Sequence, residues 1–152
     1  AYGASLSDGS RAVIGAKANP DYKHIEYITI GSLSNGVDWE GELTADTGYG
    51  NSAISSKNRG LFAGGYDDSP AANVNTICFI NIGIPGNDAT DFGNLTETAH
   101  YNGGGVTNGT RGIVAGGAPS DTIEYVTIDT KGDATDFGEL SEAGVCTGTS
   151  GA

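Results

Sequence analysis

The sequence predicts an all-β fold, about three repeats of four short antiparallel strands, on three observations. First, one phrase recurs: Asn58-Arg59-Gly60-Leu61-Phe62-Ala63-Gly64-Gly65 returns as Thr110-Arg111-Gly112-Ile113-Val114-Ala115-Gly116-Gly117, and a blurred version begins at Ser10-Arg11-Ala12-Val13-Ile14-Gly15. Second, each phrase leads to a stretch with apolar residues at alternate positions: Ile25 and Tyr27, Ile77 and Phe79, Ile123 and Tyr125. That period gives a strand two chemically different faces. Third, 26 of the 152 residues are Gly, and no apolar period of about 3.6 residues appears, so tight turns join strands rather than helices.

Each repeat divides into four strand-like words. The first is Tyr2-Gly3-Ala4-Ser5-Leu6-Ser7, echoed from Tyr49 to Ser55 and from Tyr101 to Thr107. The Arg phrase is the second and the alternating stretch the third. The fourth runs from Val37 to Thr44, from Ala89 to Thr96 and from Ala134 to Ser141. Here Trp39 matches Phe92 and Phe137 only if the first copy carries one inserted residue, which we expect as a bulge. The repeats span about 1–48, about 49–100 and about 101–143, and residues 144–152 form a fourth version of the first word, an overlapping strand.

Four short antiparallel strands recurring about every 50 residues are the unit of a β-propeller blade. Propellers close with roughly four to eight blades, and about three would leave two open edges. The sequence therefore leads us to expect either a segment of a longer array or two chains that join into one ring. The link between the second and third words varies most, as Ala18 to Tyr22, Tyr66 to Ala72 and Ala118 to Ser120. Loops that vary at one recurrent place share one rim, where binding surfaces concentrate.

The double glycines Gly64-Gly65 and Gly116-Gly117, followed by Phe79 or Tyr125 and then Phe92 or Phe137, resemble the kelch repeat of β-propellers. The likeness runs the length of the chain, although the first copy has Ala16-Lys17 in place of the glycines. More narrowly, the Arg111 phrase leading to Asp121-Thr122-Ile123-Glu124-Tyr125 and on to Ala134-Thr135-Asp136-Phe137-Gly138 is similar to kelch-like arrays among virion structural proteins of marine tailed phages. The resemblance implies a structural or adhesive part of a tail or head decoration, placed in the virion or outside the cell. Its partners would be other virion or assembly proteins, further copies or blades of the same protein, or a cell-surface glycan.

Composition narrows the function. Nineteen acids against seven Lys plus Arg give a net charge of -12, which repels nucleic-acid phosphates and anionic surfaces. No apolar run approaches the roughly 20 residues of a membrane helix, so neither nucleic acid nor membrane insertion is expected. No nucleophile elbow or phosphate-cradling Gly loop is present, and His24 and His100 fall in non-equivalent words. We expect a non-enzymatic module without a cofactor. A carbohydrate-binding propeller lectin is the alternative, and a glycan-cleaving enzyme a lesser one.

Among single residues, Arg11, Arg59 and Arg111 recur at one position and Asp38, Asp91 and Asp136 at another, which suggests structural ion pairs. Tyr22, Tyr66, Asp67 and Asp68 on the variable rim are the ligand-contact candidates, since tyrosine beside carboxylates suits a wet sugar interface. Asp88, Asp91, Asp133 and Asp136 lie in Gly-rich turns and are weak calcium candidates, because calcium takes roughly six to eight oxygens and the spacing matches no EF-hand. Cys78 and Cys146, in different words, are expected as small buried side chains rather than a disulfide.

Overall fold

A computed structural model of the chain describes residues 3–15, 23–44, 50–67, 71–98, 100–101, 103–145 and 149–151. The first set of strands is β1 (Ala4–Ser7), β2 (Arg11–Gly15), β3 (His24–Thr29) and β4 (Val37–Glu42). The second is β5 (Ser52–Ser55), β6 (Arg59–Ala63), a small hairpin of β7 (Tyr66–Asp67) with β8 (Ala72–Asn73), then β9 (Thr76–Asn81) and β10 (Thr90–Asn94). The third holds β11 (His100–Tyr101), β12 (Gly104–Thr107), β13 (Arg111–Ala115), β14 (Ala118–Pro119), β15 (Thr122–Thr127), β16 (Thr135–Glu139) and β17 (Thr149–Gly151).

The fold is all-β, and the main sheets are antiparallel meanders. The first has the order β1-β2-β3-β4 and the second β5-β6-β9-β10. The third runs β16-β15-β13-β12 and gains β17, which pairs parallel with the free edge of β12. β11 pairs with β14 beside it. The register is the same in all three sheets: Leu6 faces Val13, Ile54 faces Leu61 and Val106 faces Ile113, while Arg11, Arg59 and Arg111 face Thr29, Asn81 and Thr127.

The inserted residue in the first copy is Glu40. Asp38 faces Glu26 as Asp91 faces Cys78, and Glu42 faces His24 as Asn94 faces Thr76, so Trp39 takes the place of Phe92 and one residue is left over. Glu40 absorbs it at φ 65°, a left-handed conformation that a non-glycine residue seldom adopts. Trp39 thereby points inward and is 1% exposed.

Two cores hold the sheets together. One gathers Leu6, Val13, Ile25, Trp39 and Leu43 of the first sheet with Ala53, Phe62, Cys78 and Ile80 of the second. The other gathers Ile54, Leu61, Ile77, Phe92 and Leu95 of the second with Val114, Val126 and Ile128 of the third. Alternation explains the division: Leu61 and Phe62 are adjacent in β6, so they leave the sheet on opposite faces and enter different cores. Each sheet thus has a forward face toward the sheet that follows and a rear face toward the one before. The first strands collect together: β17 lies along β12 and also against β1 and β5, and β5 contacts both β1 and β12. Among the described residues no helix is long and apolar enough to cross a membrane.

Candidate functional site

The recurrent Arg finds a different partner from the expected Asp. Arg11 lies over the Tyr27 ring at 5.1 Å, Arg59 over Phe79 at 4.5 Å and Arg111 over Tyr125 at 4.2 Å. Each ring then meets the fourth-strand aromatic edge-on: Tyr27 with Trp39, Phe79 with Phe92 and Tyr125 with Phe137, at 5.9 to 6.1 Å. Among the described residues Arg11, Arg59 and Arg111 make no salt bridge to Asp38, Asp91 or Asp136. The reason is parity. Those Asp stand opposite Glu26, Cys78 and Glu124, which point away from the face that carries the Arg and its aromatic partners. All three Asp are exposed, and the carboxylates of Asp38 and Asp136 accept from the backbone N–H of Glu40 and Gly138, as turn-forming side chains do.

The same contacts recur at both junctions between sheets. Arg11 Nη1 donates to the Ile82 carbonyl at 2.5 Å, and Arg59 Nη1 to the Ile128 carbonyl at 3.2 Å. Glu42 N–H donates to Asp88 Oδ1 at 3.0 Å, and Asn94 N–H to Asp133 Oδ1 at 2.9 Å. The returning bonds run from Ala89 N–H to the Glu42 carbonyl and from Ala134 N–H to the Asn94 carbonyl, each 2.8 Å. Near the first strands, Ser55 Oγ donates to the Ser7 carbonyl and Thr107 Oγ1 to the Ser55 carbonyl. Two of the four calcium candidates, Asp88 and Asp133, are thus clamps on the preceding sheet. Among the described residues no group of three or more His, Cys, Asp or Glu comes together as a metal site.

Glycine makes these junctions tight. A Cβ on Gly112 would collide with Ile54, and one on Gly60 would lie 2.6 Å from Leu6. At the outer junction a Cβ on Gly93 would meet the carbonyl oxygen of Gly132. The second junction adds a buried contact: Glu124, fully buried, accepts from Thr96 N–H at 2.8 Å and from Thr96 Oγ1 at 2.7 Å.

The turns after the first strands surround a depression of about 790 Å³. Ser7, Ser55, Thr107 and Thr110 bring hydroxyls to it, Asn58 and Asn108 bring amides, Lys57 is the one cation among its lining residues, and Asp8 and Asp129 are the anions. The turns are set by their own side chains: Asp8 Oδ1 accepts from Arg11 N–H at 2.7 Å, Ser56 Oγ from Arg59 N–H at 3.1 Å and Asn108 Oδ1 from Arg111 N–H at 2.8 Å. Ser56 Oγ also donates to Asp129 Oδ1. The Ser55 and Thr107 hydroxyls are spent on the carbonyls of neighbouring strands, while exposed Lys57, Asn58, Asn108 and Thr110 leave an ammonium, two amides and a hydroxyl at the surface that can hydrogen-bond a polyhydroxylated ligand. The sequence carried a signal for this basin that went unused, the recurrence of Asp8, Ser56 and Asn108 three residues before each Arg.

The candidates on the variable rim divide. Tyr66 and Asp67 are half-buried in β7, opposite Asn73 and Ala72, at the far end of β6 from the basin. Tyr22 and Asp68 lie outside the described residues, as do Cys146, Tyr2 and Tyr49. Cys78 is fully buried.

The two end faces differ from their internal counterparts. Phe137 is 55% exposed where Trp39 and Phe92 are 1% and 2%. Val106 is 48% exposed where Leu6 and Ile54 are 6% and 2%, and at the other end Ile30 is 52% exposed where Ile82 and Ile128 are 0%. Among the described residues no strand covers the forward face of the third sheet or the rear face of the first. No family model matches the chain, and no curated protein is significantly similar to it.

Proposed function

We propose that the chain is a non-enzymatic module of a kelch-like β-propeller, a structural or adhesive part of a virion or another extracellular assembly. The observation that carries the reading is the repeated junction: Arg to carbonyl, main chain to Asp, and hydroxyl to carbonyl contacts recur from the first sheet to the second and from the second to the third. Successive sheets related by one recurring step, with their first strands gathered together, are how blades are arranged in a propeller. Such a stack is stiff and presents its turns at fixed spacing, which suits a scaffold. The resemblance in the Arg111 to Gly138 phrase supplies the virion setting, and the net charge of -12 keeps the surface away from nucleic acid. Mass spectrometry of purified particles from the producing culture is expected to recover the chain beside particle proteins. Its recovery only from the cytosol, with none in the particle fraction, rejects the reading.

A second reading, carbohydrate binding, is favoured by the basin. The exposed Thr110 hydroxyl, the Asn58 and Asn108 amides and Lys57 around about 790 Å³ match the hydrogen-bonding demands of a sugar. A glycan array is expected to return a ligand that Lys57→Ala or Asn108→Ala abolishes. Silence across a broad array, or binding untouched by both substitutions, counts against it.

A further inference from the structure

We infer that the two uncovered faces are the halves of one more junction, and that a second copy of this chain fills it, head to tail, to close a ring of six sheets. The inference rests on the propeller reading and names the partner of its open ends.

The argument is complementarity at equivalent positions. Where the internal junctions set Leu6 against Gly60 and Ile54 against Gly112, the end faces offer Val106 and Ala12. The forward residue is one methylene smaller and the rear residue one methyl larger, so the filled volume stays the same, as close packing requires. Arg111 is exposed, with its guanidinium held over Tyr125. In the two internal copies that guanidinium reaches the carbonyl of Ile82 or Ile128 in the next sheet, and the matching group on the first sheet is the carbonyl of exposed Ile30.

The polar clamps match as well. The place of Asp88 and Asp133 is held in the first sheet by Asn35, whose amide oxygen is an acceptor for the N–H of Glu139, at the place of Asn94. Ser141 stands where Thr96 does, and Glu26 where Glu124 does, so the hydroxyl-to-carboxylate contact of the second junction has both of its members at the ends. β17 extends the third sheet in its own plane and leaves Phe137 and Val106 uncovered.

A junction that joins unlike faces makes a closed ring or an open filament. Two copies give six sheets, inside the roughly four to eight of closed propellers, whereas a third copy exceeds it.

The test uses two variants at exposed positions, Phe137→Asp on the forward face and Ile30→Asp on the rear. Light scattering coupled to size exclusion is expected to find the unaltered chain as two copies, with each variant alone weakened in self-association by about 30-fold or more, the effect of losing a central interface anchor. Mixing the variants is expected to restore a one-to-one complex, because one junction then pairs two intact faces. Circular dichroism of both variants should be unchanged. A chain that stays single at every concentration overturns the inference and leaves the module reading standing. Association that neither substitution weakens, or variants that do not complement each other, overturns the head-to-tail pairing. A filament that never closes overturns the ring, and with it the propeller reading.

Discussion

Arg59 holds two groups that its sequence partner Asp91 never touches. Its guanidinium lies over Phe79 and donates to Ile128 in the neighbouring sheet, whereas Asp91 is exposed on the other side of its own sheet. Arg59→Ala is expected to cost about 1–2 kcal/mol in urea unfolding, and Asp91→Ala to stay within about 0.5 kcal/mol. Equal losses would restore the ion pair that recurrence alone suggested. Recurrence located both residues but could not say which face each took, because the register of β10, which shifts at Phe92 between Asp91 and Gly93, decides that and one residue of shift reverses it. Glu124 was illegible for a related reason. The alternation of Ile123 and Tyr125 marks one apolar face, yet in a stack the other face is covered too, and Glu124 is buried there against Thr96. Glu124→Ala leaves the Thr96 N–H and hydroxyl without their acceptor and is expected to cost about 2–4 kcal/mol. Thermal and chemical denaturation would both register it.

At the scale of the element, the turn before the fourth strand is the piece that joins one sheet to the next. Asp88 and Asp133 each hold a backbone N–H of the preceding sheet through a charge-assisted bond. Asp133→Ala is expected to cost about 1–2 kcal/mol, and millimolar calcium should leave the melting temperature of the unaltered chain where it was. A calcium-dependent rise would return these carboxylates to the metal reading. The words of the repeat were legible as strands because alternation and glycine punctuation are local signals. The inserted residue was legible too, since Trp39 reaches the core only with Glu40 left over. The partners of each turn were not legible, because the bond from Asp133 reaches 39 residues back along the chain and only the packing of sheets brings its ends together. Gly112→Ala tests that packing from the other side. The new methyl meets Ile54 and is expected to destabilise by about 1–3 kcal/mol, unless Ile54→Val makes room and recovers part of the loss.

For the whole molecule, stability runs from neighbour to neighbour, as in other repeat arrays. The fourth strands of the first and second sheets are bonded to the sheet that follows, and among the described residues β16 has no such sheet beyond it. In dilute solution the amides of β16 should exchange with deuterium about tenfold faster than those of β4 and β10 or more, and the difference should shrink as concentration rises if copies join. Faster exchange in β4 would contradict this order. The basin and the variable rim lie at opposite ends of β6, and the basin is lined in part by residues of the junctions, Leu6, Ala12 and Ile54. The division of β6 between two cores has a further consequence. Leu61 and Phe62 share a peptide bond but report on different halves of the molecule, so what loosens one half reaches the other through the backbone of the middle sheet, besides the contact that β17 makes with β1. That sheet is a hinge pin as well as a wall: a substitution there is felt on both sides, while the same substitution in an outer sheet stays local.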